Sequence, residues 1–330
     1  STSSVRPMIP LDYGHDAITE GRLPERPEEI AAYGKYCGYV ASQYREAHAL
    51  YEIWNEWNGG MGTSPANRKR GSVASYLPVL KACAREVRKQ DPGAPIIGAA
   101  LAGLDSAWIQ EFIDSGGLAD VDGLSFHPYV FARKDGSATL ALQWLDDVHR
   151  QVMKASPGRK IPFYVTEIGW PTHAGRGGSS EQRSEAQLIR FLIQAHAREY
   201  ISGVWVYEMV DGGDDEHDHE SRFGLIRSDR RSAKPAFDAL RQFAALNKAL
   251  RGSRLRVIPG VDGAFTATFP DGKVVLVSWN PGFTKQVLSA SSLKSAGASV
   301  VSVQDIGGKP VQTTDLTSGP GNPASEPVVW

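Results

Sequence analysis

Two glutamates stand at the ends of apolar runs: Glu56 closes Tyr51-Glu52-Ile53-Trp54-Asn55-Glu56, and Glu167 closes Phe163-Tyr164-Val165-Thr166-Glu167. Runs of this length and composition read as buried strands. Two carboxylates at the C-terminal ends of two strands in one parallel sheet face the same crevice. Apolar and aromatic neighbours raise the pKa of one such carboxyl group, while hydrogen bonding keeps the other ionised. Glycoside hydrolysis needs that division, with one protonated acid for the leaving oxygen and one anion for the oxocarbenium-like centre. An isolated strand-end Glu more often caps a loop or pairs with an Arg; here the polar and aromatic surroundings reverse the balance.

Those glutamates must be held by regular elements, and the chain supplies a rhythm for them. Short apolar runs at 5–10, 50–54, 95–99, 121–126, 161–166 and 203–207 alternate with segments of helical period near 26–48, 72–90, 105–115, 137–155, 180–200 and 233–249. Ser180-Glu181-Gln182-Arg183-Ser184-Glu185 carries helix-capping chemistry before Leu188, Ile189, Leu192 and Ile193. Alternating β and α units predict a parallel sheet covered by helices. A doubly wound nucleotide-binding sheet should show a Gly-rich strand-to-helix turn, and none follows any of these runs. Polar and aromatic residues gather instead after several strands, in Asp12-Tyr13-Gly14-His15, Asn55-Glu56-Trp57-Asn58, His127-Pro128-Tyr129, Glu167-Ile168-Gly169-Trp170 and Tyr207-Glu208. That distribution is the C-terminal face of a (β/α)8 TIM barrel. From residue 252 onward the charged fraction falls to about 14% from about 25%, and β-branched runs are broken by Pro-Asp-Gly and Asn-Pro-Gly turns. The expected organisation is an α/β barrel over 1–250 and a small β-sandwich over 251–330.

Three motifs in order, Trp54-Asn55-Glu56-Trp57-Asn58, His127-Pro128-Tyr129 and Thr166-Glu167-Ile168-Gly169-Trp170-Pro171, resemble the barrel glycoside hydrolases of clan A. Within the clan the chain is similar to family 39, and there to the PslG-like bacterial exopolysaccharide endoglycosidases. The resemblance implies retention of configuration, with Glu167 as nucleophile and Glu56 as general acid/base. It also implies that Asn55 binds the hydroxyl beside the anomeric carbon, that Tyr129 donates to Glu167 and holds it ionised, and that His127 lines the same wall. A packed, satisfied histidine is the other reading of His127. Trp57 and Trp170 are expected to stack on sugar faces, with core packing as the alternative; Trp108 and Trp144, at helical spacing, are expected in the core. Tyr207, Glu208 and His15 complete the expected substrate-binding set. In the clan the Asn-Glu pair ends strand four, which makes the run at 5–10 strand three. The first two βα units are then expected in a further N-terminal segment that completes the barrel.

The 330 residues carry 36 basic and 37 acidic side chains, a net charge of -1 that offers no broad attraction to nucleic acid or anionic lipid. No stretch approaches the apolar length of a transmembrane helix. Cys37 and Cys83 lack metal-ligand spacing and are expected as buried free thiols. The acidic run 211–220, with His217 and His219, could gather a metal, but its spacing matches no calcium or zinc motif and a solvated loop is expected. The expected function is thus a retaining glycosidase, endo-acting on a largely uncharged bacterial exopolysaccharide, with no metal or cofactor. A non-catalytic polysaccharide-binding barrel and an exo-acting β-glycosidase are the alternatives. Family resemblance places such a chain in the periplasm or outside the cell.

Overall fold

The computed structural model describes residues 6–250, 252–258, 263–268, 270, 274–278, 304–305 and 328–329. Six strands, β1 (Met8–Leu11), β2 (Leu50–Ile53), β3 (Ile96–Ala102), β4 (Gly123–His127), β5 (Phe163–Ile168) and β6 (Ile201–Val206), form one sheet in sequential order. The registers of the first five strands are parallel, with Leu11 opposite Ile53, Glu52 opposite Ile97 and Phe126 opposite Val165. Helices α1 (Asp16–Thr19) and α2 (Pro27–Tyr44), α3 (Val73–Gln90), α4 (Ser106–Asp114), α5 (Ala138–Ala155), α6 (Glu181–His196) and α7 (Pro235–Leu250) lie between or after these strands. A doubly wound sheet reverses its order partway. Here neighbours in sequence are neighbours in the sheet, which is the βα repeat of a barrel.

Local chemistry explains the boundaries. Every residue of β2 and β4 is buried, so Leu50-Tyr51-Glu52-Ile53 and Gly123-Leu124-Ser125-Phe126-His127 are covered on both faces and show no alternation. The three polar residues admitted there, Glu52, Ser125 and His127, are held by hydrogen bonds: Thr166 Oγ1 donates to Glu52 and lies 3.1 Å from His127 Nε2, while the Ser125 hydroxyl accepts from Ala100 N–H and donates to Gly98 O. Helix α3 opens at Ser72, whose hydroxyl accepts from Ser75 N–H, and α6 opens at Ser180, whose hydroxyl accepts from Arg183 N–H. Each satisfies an amide that the first turn leaves unpaired.

The expectation of free thiols is corrected: Cys37 and Cys83 form a disulfide, their Cα atoms 5.4 Å apart. Helices α2 and α3 pack against each other. Gly34 and Gly38 make this close approach possible, since an added Cβ would lie 3.2 Å from Ala82 O and 3.2 Å from Glu86 Cβ respectively. Cys37, one turn along the same face, then meets Cys83. The bond closes a loop across a sequence separation of 46, long enough for a contribution of about 2–4 kcal/mol. Reduction, or the pair Cys37→Ser/Cys83→Ser, should lower the urea midpoint by the equivalent of that amount; an unchanged midpoint would show the cross-link to be energetically idle.

The chain divides into two compact units, one of residues 1–130, 143–168 and 200–205, the other of residues 131–142, 169–199 and 206–330. In the second, α6 packs on α7. The same unit carries an antiparallel sheet in the order β10-β11-β9-β8-β7, built from β7 (Arg256–Val257), β8 (Ala264–Thr268), β9 (Val274–Ser278), β10 (Gln304–Asp305) and β11 (Val328–Val329). This antiparallel character matches the turn-punctuated sequence. The second sheet that a sandwich requires is not among the described residues. No helix among the described residues is long and apolar enough to cross a membrane.

Candidate active site

Glu56 lies just past β2, where the backbone leaves the regular strand. Trp54 and Glu56 are both left-handed, with φ of 66° and 50°, a conformation L-residues keep only when neighbouring contacts enforce it. Those contacts are present. Trp54 N–H donates to Leu11 O at 3.2 Å, and Glu56 N–H donates to Ala100 O at 3.0 Å, where β3 breaks register between Gly98 and Leu101. Asn58 clamps the following turn by donating to Ala102 O at 3.1 Å and accepting from Ala102 N–H at 2.9 Å.

His127, the last residue of β4, is 0% exposed and stands between the two glutamates. Its Nδ1 is 3.1 Å from Glu56 Oε1 and 3.6 Å from Glu167 Oε2. On the other side of the ring, Nε2 is 3.1 Å from Thr166 Oγ1, which donates to Glu52 Oε1 at 2.7 Å. A hydroxyl has one proton to give. With that proton on Glu52, Thr166 accepts from His127 Nε2–H, and Nδ1 is left facing Glu56. Tyr129 donates to Glu167 Oε2 at 2.9 Å, as the resemblance implies. Asn55 Nδ2 donates to the Tyr13 hydroxyl at 2.6 Å, and the Tyr13 ring packs edge-on against Trp54.

The protonation states follow from this packing. Burial opposes charge on His127, yet the hydrogen bond to Glu56 and the fields of Glu167 and Glu52 outweigh it and lift the pKa to about 9. Burial also pushes Glu167 above the usual carboxylate range, with Glu56 and Glu52 adding repulsion, while His127 and the Tyr129 hydroxyl pull the other way. Tyr129 is therefore in its expected place, but it does not by itself dominate the ionisation of Glu167. Glu52, 2% exposed, is raised by burial against the opposing effects of His127, Thr166 and Ser125.

All three shifts are upward, so the folded site binds more protons than the unfolded chain and stability must fall as pH rises. The carboxyl contributions begin to be lost above about pH 4.5, their ordinary value. The His127 contribution is complete below about 6.5 and is lost as pH climbs through about 9. Urea unfolding between pH 6 and 9.5 should show a decline on the order of 3 kcal/mol, and His127→Gln should flatten it. A decline unaltered by that substitution would assign it to other groups.

Ligand atoms of Glu56, His127 and Glu167 all lie within 4.8 Å of one another, a spacing that could also hold a metal ion. Metal ligation requires neutral imidazole, so the cationic state favoured for His127 near neutral pH opposes ligation. The acidic run holds its charge differently. Asp211 is buried against Lys234 at 2.7 Å and accepts from Gly224 N–H, and Arg222 binds the carbonyls of Asp214 and Asp215.

Known structures share this scaffold. A family 39 glycoside hydrolase from the gut symbiont Bacteroides cellulosilyticus WH2 matches with a TM-score of 0.71 at 21% identity, over 98% of this chain and 67% of its own. The fold is that of the family 39 glycoside hydrolases. A monomeric beta-xylosidase from Caulobacter crescentus CB15 has a TM-score of 0.58 at 18% identity, over 91% of this chain and 63% of its own. The GH39 enzyme from Xanthomonas axonopodis pv. citri has a TM-score of 0.54 at 18% identity, over 84% and 56%. The chain thus spans about two thirds or less of the length of these structures. No protein-family model and no curated protein matches it.

On this scaffold the first unit brings Asn55, Glu56, His127, Tyr129 and Glu167 together, and two expected residues take other roles. Trp57 is 0% exposed, packed between Trp54 and Tyr76 with its indole N–H on Ser72 O, so it belongs to the core and presents no face to a sugar. His15 caps α1, its Nδ1 accepting from Ala17 N–H. The residue of that cluster near the glutamates is Tyr13, whose hydroxyl feels the charges of both. Trp170, Tyr207 and Glu208 belong to the second unit. There Trp170 is 4% exposed with its N–H on Gly136 O, and Tyr207 lies edge-on to Phe223 with its hydroxyl 3.5 Å from Glu220. Trp108 and Trp144 are in the core as expected. Glu52 and Thr166 were not expected in the site. Their signal in the sequence is a charged and a hydroxyl residue inside runs that are otherwise apolar.

Proposed function

We propose that the chain is a retaining glycoside hydrolase that cleaves β-glycosidic bonds by double displacement, with Glu167 as nucleophile and Glu56 as acid/base. The supporting observation is the pair itself: one oxygen of each carboxyl group lies within 4.8 Å of the other. That fits the about 5–5.5 Å of retaining pairs better than the about 6.5–9.5 Å that leaves room for water in inverting ones. Glu56 follows β2 and Glu167 lies near the end of β5, three strands apart like the carboxylates of strands four and seven in the clan.

In the first step a Glu167 oxygen bonds to the anomeric carbon as the glycosidic bond breaks. The leaving oxygen takes the proton shared between Glu56 Oε1 and His127 Nδ1. In the second step water attacks the glycosyl ester, gives its proton to Glu56, and releases Glu167. His127 is the proton-holding and positioning partner throughout, because Thr166 and Glu52 fix its far nitrogen. Proton NMR of an aryl β-glycoside digest tests the stereochemistry. The β-anomer of the sugar should appear first, and initial release of the α-anomer would overturn the assignment.

Endo action on bacterial exopolysaccharide is the finer proposal, supported by the motif resemblance. Exo action is the second reading, because two of the matching structures are Caulobacter crescentus beta-xylosidases. Sizes of the first products from a polymer separate the two, oligosaccharides for endo cleavage and monosaccharide for exo. An oxidising compartment, periplasmic or extracellular, is proposed as well; the Cys37–Cys83 disulfide supports it.

A further inference from the structure

The net charge of -1 conceals a local excess of positive charge in the second unit. The segment 131–136 after β4, the segment 170–179 after β5 and the first turn of α6 enclose a cavity of about 410 Å³. This volume is within the range of small-ligand sites, about 300–1,000 Å³. Arg133, Lys134, Arg176 and Arg183 all line it, and none of the four enters an ion pair among the described residues. Trp170 forms part of the wall, its ring held by the N–H bond to Gly136 O at 2.6 Å. The unpaired guanidinium groups offer planar forks that match a carboxylate or sulfate.

We propose that this cavity binds an anionic sugar residue of the substrate, so that the enzyme acts on an acidic polysaccharide rather than a neutral one. The proposal rests on the glycan-hydrolase function proposed above and replaces the uncharged chain expected from overall composition. The surroundings favour a sugar over a long polyanion. The acidic loop flanks the cavity segments: Ala174 N–H donates to Glu216 O, and His219 lies against Phe131. A nucleic acid tracking across this face would meet those carboxylates, whereas one charged ring seated in the cavity does not.

The test is titration calorimetry with the full chain carrying Glu167→Gln, so that binding is read without turnover. Three probes share one backbone: glucuronoxylan, the same polymer after carboxyl reduction, and a sulfated xylan. At low ionic strength one charged polymer should bind at least about tenfold tighter than the reduced one; which of them does so assigns carboxylate or sulfate. Arg176→Glu/Arg183→Glu should bring that ratio to about one, and the milder Arg176→Gln/Arg183→Gln should reduce it part-way. Equal affinity for charged and neutral polymers would overturn the proposal. So would a preference that survives both sets of substitutions, or equally tight binding of a DNA duplex. Hydrolysis by the unsubstituted chain is measured separately by reducing ends. Charge-selective binding without hydrolysis would remove the hydrolase function and leave this site standing, while hydrolysis without charge selectivity would do the reverse.

Discussion

Replacing Glu167 with Gln is expected to leave the chain folded and able to bind glycan while lowering kcat by at least about 10³-fold. Gln keeps the shape and can still accept the Tyr129 hydroxyl, which lies 2.9 Å from Glu167 Oε2. It cannot form the glycosyl ester, and it removes the negative charge that stabilises an oxocarbenium-like transition state. The loss should therefore fall on every substrate, including aryl glycosides whose leaving groups need no proton. Steady-state kinetics with a 4-nitrophenyl glycoside checks this. Residual activity within tenfold of the parent would remove Glu167 from the nucleophile role and favour a binding protein with incidental hydrolysis.

Replacing Glu56 with Gln should give a smaller loss that depends on the substrate. For alkyl or sugar leaving groups, which need protonation, the rate should fall by about 10²–10⁴-fold, the usual worth of a positioned acid or base. For 4-nitrophenol the bond-breaking step should be nearly unaffected and deglycosylation should become limiting, since the water then lacks its base. A pre-steady-state burst of nitrophenolate, absent in the parent, is the expected signature. Equal losses for good and poor leaving groups would reassign the proton to another residue. His127 is the first candidate, because its Nδ1 lies 3.1 Å from Glu56 Oε1 and 3.6 Å from Glu167 Oε2.

The strands and helices were legible because apolar residues repeat at the period of the element that buries them, and Ser180 marked the start of α6 by its capping chemistry. The glutamates were legible for a related reason: a charged residue at the end of an apolar run has nowhere to go but the rim. Trp57 was misplaced by the same logic. The alternation of faces cannot be continued past left-handed residues at Trp54 and Glu56, and the short turn that follows sends Trp57 into the core beside Tyr76. Glu52 was passed over because a carboxyl inside a buried strand has no local signal for its partners. The free-thiol expectation failed because pairing of Cys37 with Cys83 depends on how closely α2 and α3 approach, which Gly34 and Gly38 decide.

The sequence by itself determined the order of the βα units, the two strand-end glutamates and the absence of any overall charge bias, since each follows from residue type and short-range spacing. Only the tertiary structure decided what those groups can do. The partners of Glu56 and Glu52 are His127, 71 residues away, and Thr166, 114 residues away. The four unpaired cations beside Trp170 come from the loop before α5, the loop after β5 and the first turn of α6. Protonation and binding depend on distances of a few ångströms, because desolvation and Coulomb interactions act over that range, and chain separations of this length are brought within it only by folding.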